Sequence, residues 1–289
     1  KDINVTKGSL IVEDGAVLKT TGAVTVAADG VLDISGSDVD LAAITNNGKI
    51  TIDTASSITA GIFSGEGSIV IDATGFTGTK NIIDLSGAES LAGKVTIENL
   101  GEGIRAVYGA DGDVVLTDMT VTEIYVSSEF TGKLGEDLGD GKVFGINAFA
   151  DFDSAVAALQ NDDTVIKLLS DAKMTADSNF KLNVISGDGN DHTLQIDSVI
   201  DVDAEFAKEI NLNAPLLMAY YNNHNIIVNG DLKGGFYNYT GSLTFNNSKI
   251  TNSYDNSNIG GVVNINGDVG PVGIGVLAAH TACSERSKL

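Results

Sequence analysis

The 289-residue chain has no tryptophan, two prolines, three histidines and one cysteine, Cys283. A single cysteine excludes an intrachain disulfide and any zinc site built on cysteine pairs. Two prolines against 34 glycines exclude a Pro-rich linker or stalk. Aromatic residues make up 6% of a chain that is 43% hydrophobic, so a core must come from Val, Ile, Leu and Ala, which suits layered β packing. Basic residues are also scarce. Seventeen Lys and Arg face 39 Asp and Glu, for a formal charge of −22 and a pI near 4.2. Such a charge repels phosphate backbones and anionic lipid, so nucleic acid is a poor partner. It suits an extracellular protein kept soluble by its acidic surface, with cation binding as the alternative. No window reaches the length of a membrane span. Asp2 to Ser9 lacks the apolar core of a signal peptide, and a start at Lys1 without Met reads as an excised fragment or processed form.

What is present is a repeat. From Gly8 the chain reads GSLIVEDGAVLKTTGAVTVAADGVLDISG, with apolar residues alternating at Leu10 and Val12, Ala16 and Leu18, Val24 and Val26, Leu32 and Ile34. Asp14-Gly15, Asp29-Gly30, Asn47-Gly48 and Glu66-Gly67 punctuate it at spacings of 15, 18 and 19 residues, followed by Gly93 before KVTIE and Asp111-Gly112 before DVVLTD. Each piece reads as a short strand of period two ended by a pair suited to positive φ. Asp-Gly pairs also make antiparallel hairpins, the competing local reading. The solenoid is preferred because each repeat is too small to bury its own apolar side, and stacking continues the core from coil to coil. This stretch resembles the passenger coils of bacterial autotransporter adhesins.

At the centre, Phe152, Ala155, Val156 and Leu159 fall at i, i+3, i+4 and i+7, one face of a helix near residues 151–160. Asp151 is placed to cap it, Asp153 complements the helix dipole, and Asn161-Asp162-Asp163 ends it. TVIKLL then reads as a strand with Lys167 outward and Leu168 and Leu169 buried. The runs IYVSSEFTGK, GDGKVFGINAFADFDSAVAAL and DDTVIKLLSD resemble the start of right-handed parallel β-helices of the pectin-lyase-like kind, where a capping helix precedes the first coil. The same combination is found inside bacterial surface proteins of the AIDA-like autotransporter adhesins. The resemblance implies an all-β, right-handed parallel β-helix. It divides the chain into coils over 1–119, a strand and Gly/Asp-rich junction over 120–150, a helix-opened second block over 151–269 and an irregular tail over 270–289.

The later strands, among them NIIVNGDL, SLTFNNSKI and GVVNINGDV, are rich in Asn, whose amides can stack in ladders along the coil axis. Tyr220, Tyr221, Phe236, Tyr237 and Tyr239 gather five of the 17 aromatics in one region, either packing a wider coil or forming a patch for glycan or protein. SGDGNDHTL, Ser186 to Leu194, approaches the nonapeptide that binds Ca²⁺ in parallel β-rolls, with Asp188 and Asp191 as candidate ligands. It occurs once, whereas calcium there lies between successive copies, so a plain turn is preferred and no cofactor is expected. Asp111 with Asp113, and the set Asp197, Asp201 and Asp203, fall short of an oxygen cage.

Polysaccharide cleavage is the enzymatic alternative, because pectin-lyase-like folds host it. A lyase needs a basic residue as proton acceptor, but the coils hold one arginine, Arg105, beside Tyr108. A hydrolase needs two placed carboxylates, which abundant aspartates cannot single out. His192 and His224 are isolated, and no nucleophile, phosphate-loop or zinc-helix motif is present. The expectation is a non-catalytic adhesin segment of a secreted bacterial protein at the outer membrane surface. Its expected partners are host glycans or proteins, with self-association possible. A purely structural spacer is the other alternative.

Overall fold

The computed structural model describes residues 1–13, 15–87, 89–176, 178–190 and 192, and beyond them the strand segments named below. The described chain is stacked parallel coils, about 10 turns of β-solenoid in all, with one short helix. It divides into two compact units, Lys1–Thr120 and Val121–Leu289.

The first unit contains β1 (Ile3–Glu13), β2 (Leu18–Ser35), β3 (Asp38–Asn46), β4 (Lys49–Asp53), β5 (Ser57–Ser64), β6 (Ser68–Asp72), β7 (Thr79–Leu85), β8 (Val95–Glu98), β9 (Arg105–Tyr108) and β10 (Val114–Thr117). Parallel pairing brings every second residue into vertical columns. Leu10, Leu32, Ile50, Ile69 and Val95 form one, and Val12, Ile34, Ile52, Ile71 and Ile97 the next. Leu18, Val39, Ile58 and Ile83 form a column on another stack. Most of these side chains are buried, and each contributes about 1.5–3 kcal/mol on leaving water. The period-two alternation is therefore the code for the core. Ala16 breaks it: expected inward, it is exposed in the link between β1 and β2.

Gly15, Gly93 and Gly112 have the positive φ expected of them, at +76°, +85° and +97°, but the other glycines of the repeat act differently. Gly8 pairs with Gly30, while Gly30, Gly48 and Gly67 each immediately precede the paired residues Val31, Lys49 and Ser68. None of these three has positive φ. A Cβ on Gly30 would lie 2.2 Å from the Val5 carbonyl oxygen, one on Gly48 2.3 Å from that of Ala27, and one on Gly67 2.5 Å from that of Gly48. Backbone of neighbouring coils occupies the space of a side chain, so the column is a close-approach requirement.

The repeat also ends differently from the sequence reading. Asp111-Gly112 does not lead into another parallel coil. It turns the antiparallel hairpin β9–β10, and β10 pairs antiparallel with β7. Val114, Val115, Leu116 and Thr117 are all buried, so this strand has no polar face to alternate. Asp113 is buried too, and its carboxylate accepts the Leu85 amide proton at 2.7 Å.

The second unit contains β11 (Glu123–Val126), β12 (Asp137–Gly139), β13 (Lys142–Val143), β14 (Ala148–Phe149), α1 (Phe152–Ala157), β15 (Val165–Leu168), β16 (Ala172–Met174), β17 (Leu182–Ser186), β18 (Leu194–Ile196), β19 (Ala204–Phe206), β20 (Ile210–Asn211), β21 (Leu217–Ala219), β22 (Asn225–Val228), β23 (Leu232–Lys233), β24 (Phe236–Asn238), β25 (Ser242–Asn246), β26 (Ile250–Thr251), β27 (Asn256–Asn258), β28 (Val262–Asn266) and β29 (Ile274–Val276). One parallel sheet runs β14-β11-β15-β17-β19-β22-β25-β28, and further stacks run β16-β18, β20-β23-β26 and β21-β24-β27-β29. The last strand, β29, falls within the stretch expected as a tail.

The helix starts where the sequence places it but ends sooner, at Ala157 with Ala158 as its C-cap, so Leu159 lies just beyond it and Asn161-Asp162-Asp163 do not end it. Phe152, Ala155, Val156 and Leu159 are buried, and α1 packs against β11, β14 and β16, at the edge of the sheet. Asp151 caps it, accepting from the Ser154 amide at 2.7 Å. Asp153 does more than complement the dipole: it accepts the amide protons of Thr175 and Ala176 and the Thr175 hydroxyl, tying the helix to the segment after β16. In β15, Ile166 and Leu168 are buried and Lys167 points outward, while Leu169, expected inside, is half-buried.

Candidate binding surface

The outward side chains inherit the vertical register of the core. In the first unit Lys19 pairs with Asp40 at 2.5 Å, Thr51 donates to Asp33 at 2.5 Å, Ser57 donates to Asp38 at 2.6 Å, and Thr45 meets Ser64 at 3.1 Å. Each pair joins positions on consecutive strands of a stack. In the second unit Asn266 donates to Asn246 at 2.8 Å, across the paired strands β25 and β28, a rung of the amide ladder read from the sequence. Within each unit, outward hydroxyls, amides and carboxylates thus meet between consecutive strands, at the strand spacing of about 4.8 Å.

Of the sequence-selected aromatics, Phe236 and Tyr237 lie in β24, opposite Leu217 and Met218 of β21, and Tyr237 also pairs with Ser257 of β27. Tyr220, Tyr221 and Tyr239 lie outside the described residues, as do Asp191, His224 and the set Asp197, Asp201 and Asp203. Asp188 sits in the loop after β17. Its carboxylate accepts from the Asn190 amide at 2.9 Å and the Asn190 side chain at 2.7 Å, and meets His192 Nε2 at 2.9 Å. The Asn190 amide leads in holding Asp188 far below the usual carboxylate range, with the Asn190 side chain and His192 adding to it. Its oxygens serve their own turn. Among the described residues no group of three or more His, Cys, Asp or Glu side chains is arranged to hold a metal ion. Arg105 sits on β9 opposite Thr117, with Nε and Nη2 buried and, among the described residues, without hydrogen-bond partners, and burial lowers its pKa.

One cluster escaped the sequence reading. Tyr125 of β11 faces outward with the ammonium groups of Lys142 and Lys167 over its ring, at 5.1 and 5.5 Å from the centroid. Lys167 also binds Glu123 at 2.5 Å, and the Tyr125 hydroxyl donates to the same carboxylate at 2.6 Å. The bonds from Lys167 and then Tyr125 hold Glu123 below the usual carboxylate range, while donation to Glu123, together with burial, pushes the Tyr125 phenol up. The alternation Glu123-x-Tyr125 and the outward Lys167 were legible. Lys142 was not, because a hairpin 17 residues downstream in the sequence delivers it to Tyr125.

No protein-family model, curated protein or solved structure matches this chain.

Proposed function

We propose that the chain is a non-catalytic segment of a secreted bacterial surface protein of the autotransporter-adhesin type, holding a stacked polar face against host glycans or matrix proteins. The observation that carries this reading is the vertical register of outward polar groups from coil to coil. A partner that repeats along its own length meets further polar groups from coil to coil. Contacts that are weak one at a time then add through effective concentration, without any deep pocket. The likeness of the repeat and of the helix-to-strand run to AIDA-like passenger segments supports the same assignment.

The test is retention of the whole chain on immobilised glycans, matrix proteins and intact host cells. Saturable retention that rises with ligand density is expected, since avidity depends on simultaneous contacts. Absence of retention on every surface overturns adhesion and leaves a structural spacer.

A further inference from the structure

Two lysines converge on one tyrosine in a chain with more than twice as many acidic as basic residues. They are not equivalent. Lys167 is satisfied by Glu123. Lys142 is only 18% exposed, and among the described residues its ammonium has no hydrogen-bond acceptor; its nearest carboxylate, Asp140, stands 3.6 Å away and is itself 94% exposed. An ammonium has three donors to satisfy. This one is partly stripped of water, held over an aromatic ring, and has for an oxyanion only the well-solvated Asp140 carboxylate, 3.6 Å away and beyond hydrogen-bond reach.

The surroundings add shape. Tyr125, Lys167 and Ile185 stand in register on three consecutive strands, and Glu123, Val165 and Asn183 stand in the neighbouring row. At about 4.8 Å per strand the first row is a strip roughly 10 Å long, of ring, alkyl stem and branched alkyl group. Glu123 and Asn183 supply polar atoms beside it. An apolar strip edged by polar groups, with a cation at one side, matches a sugar ring that carries a single charge. The net charge of −22 opposes any polyanion, but at physiological salt charges beyond about 8 Å are screened, so an isolated oxyanion meets a local balance: Glu123 offsets Lys167, and the solvated Asp140 carboxylate offsets Lys142 only in part.

We propose that Lys142, with Tyr125 and Lys167 beside it, is a subsite for a sugar bearing one oxyanion, carboxylate or sulfate. The assignment rests on the adhesion reading and names its ligand class. Lys142 donates to the oxyanion, the Tyr125 ring holds that ammonium in place, and Lys167 with Ile185 supports the sugar.

The test is calorimetric titration of the whole chain with sialyllactose, sulfated lactose and lactose. Both acidic sugars are expected to bind at least about tenfold more tightly than lactose, the value of one charge-assisted hydrogen bond, and their ranking separates carboxylate from sulfate. Lys142→Met keeps the stem and is expected to reduce both to the level of lactose. Asp140→Asn removes the competing carboxylate at a residue whose φ of +53° Asn tolerates well, and is expected to tighten acidic sugars by about two- to fivefold. A gain of this kind cannot come from misfolding. Affinity for both acidic sugars no higher than for lactose, an unaltered Lys142→Met, or an unaltered Asp140→Asn overturns the subsite. If acidic sugars fail to titrate while the chain is still retained on host surfaces, the subsite falls and adhesion stands. If they titrate while no surface retains the chain, the subsite stands and adhesion falls.

Discussion

The two units terminate their parallel stacks in different ways. In the first, β10 reverses direction and pairs antiparallel with β7, so that a hairpin closes that stack. In the second, β11 begins the parallel sheet with β14 beside it, and α1 lays its apolar face on both. The hairpin satisfies an exposed strand edge with backbone hydrogen bonds. The helix carries its own backbone bonds and contributes mainly apolar cover, with Asp153 as its polar tie to Thr175 and Ala176. A hairpin closure thus depends on register, whereas a helical closure depends on the composition of one face. Changes of side-chain polarity should therefore damage the second unit's closure most, and changes of backbone volume the first unit's stack.

The largest effect expected is Val156→Asp. Val156 is 5% exposed on the helix face that meets β11 and β14. A carboxylate there has no partner, at a cost of about 3 kcal/mol or more. Hydrogen exchange should speed up in β11 and β15 while β4 and β6 keep their protection. Unchanged protection in β11 would mean that α1 does not close the sheet, and equal loss in β4 would mean that the two closures are not independent.

Next is a pair of glycine substitutions in the first unit. Gly48→Ala places a Cβ 2.3 and 2.4 Å from the carbonyl oxygens of Ala27 and Gly30, so neighbouring coils must separate, at about 2–3 kcal/mol. Gly75→Ala meets nothing within 4 Å and pays only for its φ of +69°, about 1–2 kcal/mol. Urea midpoints rank the two. If Gly75→Ala proves the more damaging, the glycine column is a matter of turn conformation after all.

The same contrast explains what was legible beforehand. Columns such as Leu32, Ile50 and Ile69 follow from period-two alternation, because each strand presents one side to a shared core. The helix followed from four apolar positions and an Asp cap, all local. The β9–β10 hairpin was hidden because Val114 to Thr117 is buried on both sides and carries no alternation. Asn46 was hidden for a related reason. It stands in register beyond Val5 and Val26, in a column that reads apolar, yet it is buried, accepting the Gly48 amide at 3.1 Å and donating to the Ser68 carbonyl at 3.1 Å. Its role depends on which coil lies above it, a long-range fact. The Lys142–Tyr125 contact is long-range in the same sense. Non-local pairings are what a single sequence encodes least directly.

The smallest effect tests how much of the helical closure is polar. Asp153 is held by the Thr175 hydroxyl and by the amide protons of Thr175 and Ala176. Burial opposes its ionisation most strongly of any single influence, yet the three bonds together with Lys173 outweigh it and lower its pKa. A carboxyl with a lowered folded-state pKa stabilises fully above its unfolded value of about 3.9 and loses that contribution as pH falls through the folded value. Asp153→Asn keeps the shape and can still accept hydrogen bonds, so it should cost about 1 kcal/mol near pH 6, discounted from a buried charge because the side chain remains largely solvated. Once pH falls below its lowered folded-state value the wild type surrenders the same charge, and the two urea midpoints should converge. A gap that persists in acid would assign the loss to altered packing of α1. No gap at about pH 6 would show that apolar contact alone seats the helix, making the second unit's closure depend on composition even more completely than its contrast with the hairpin requires.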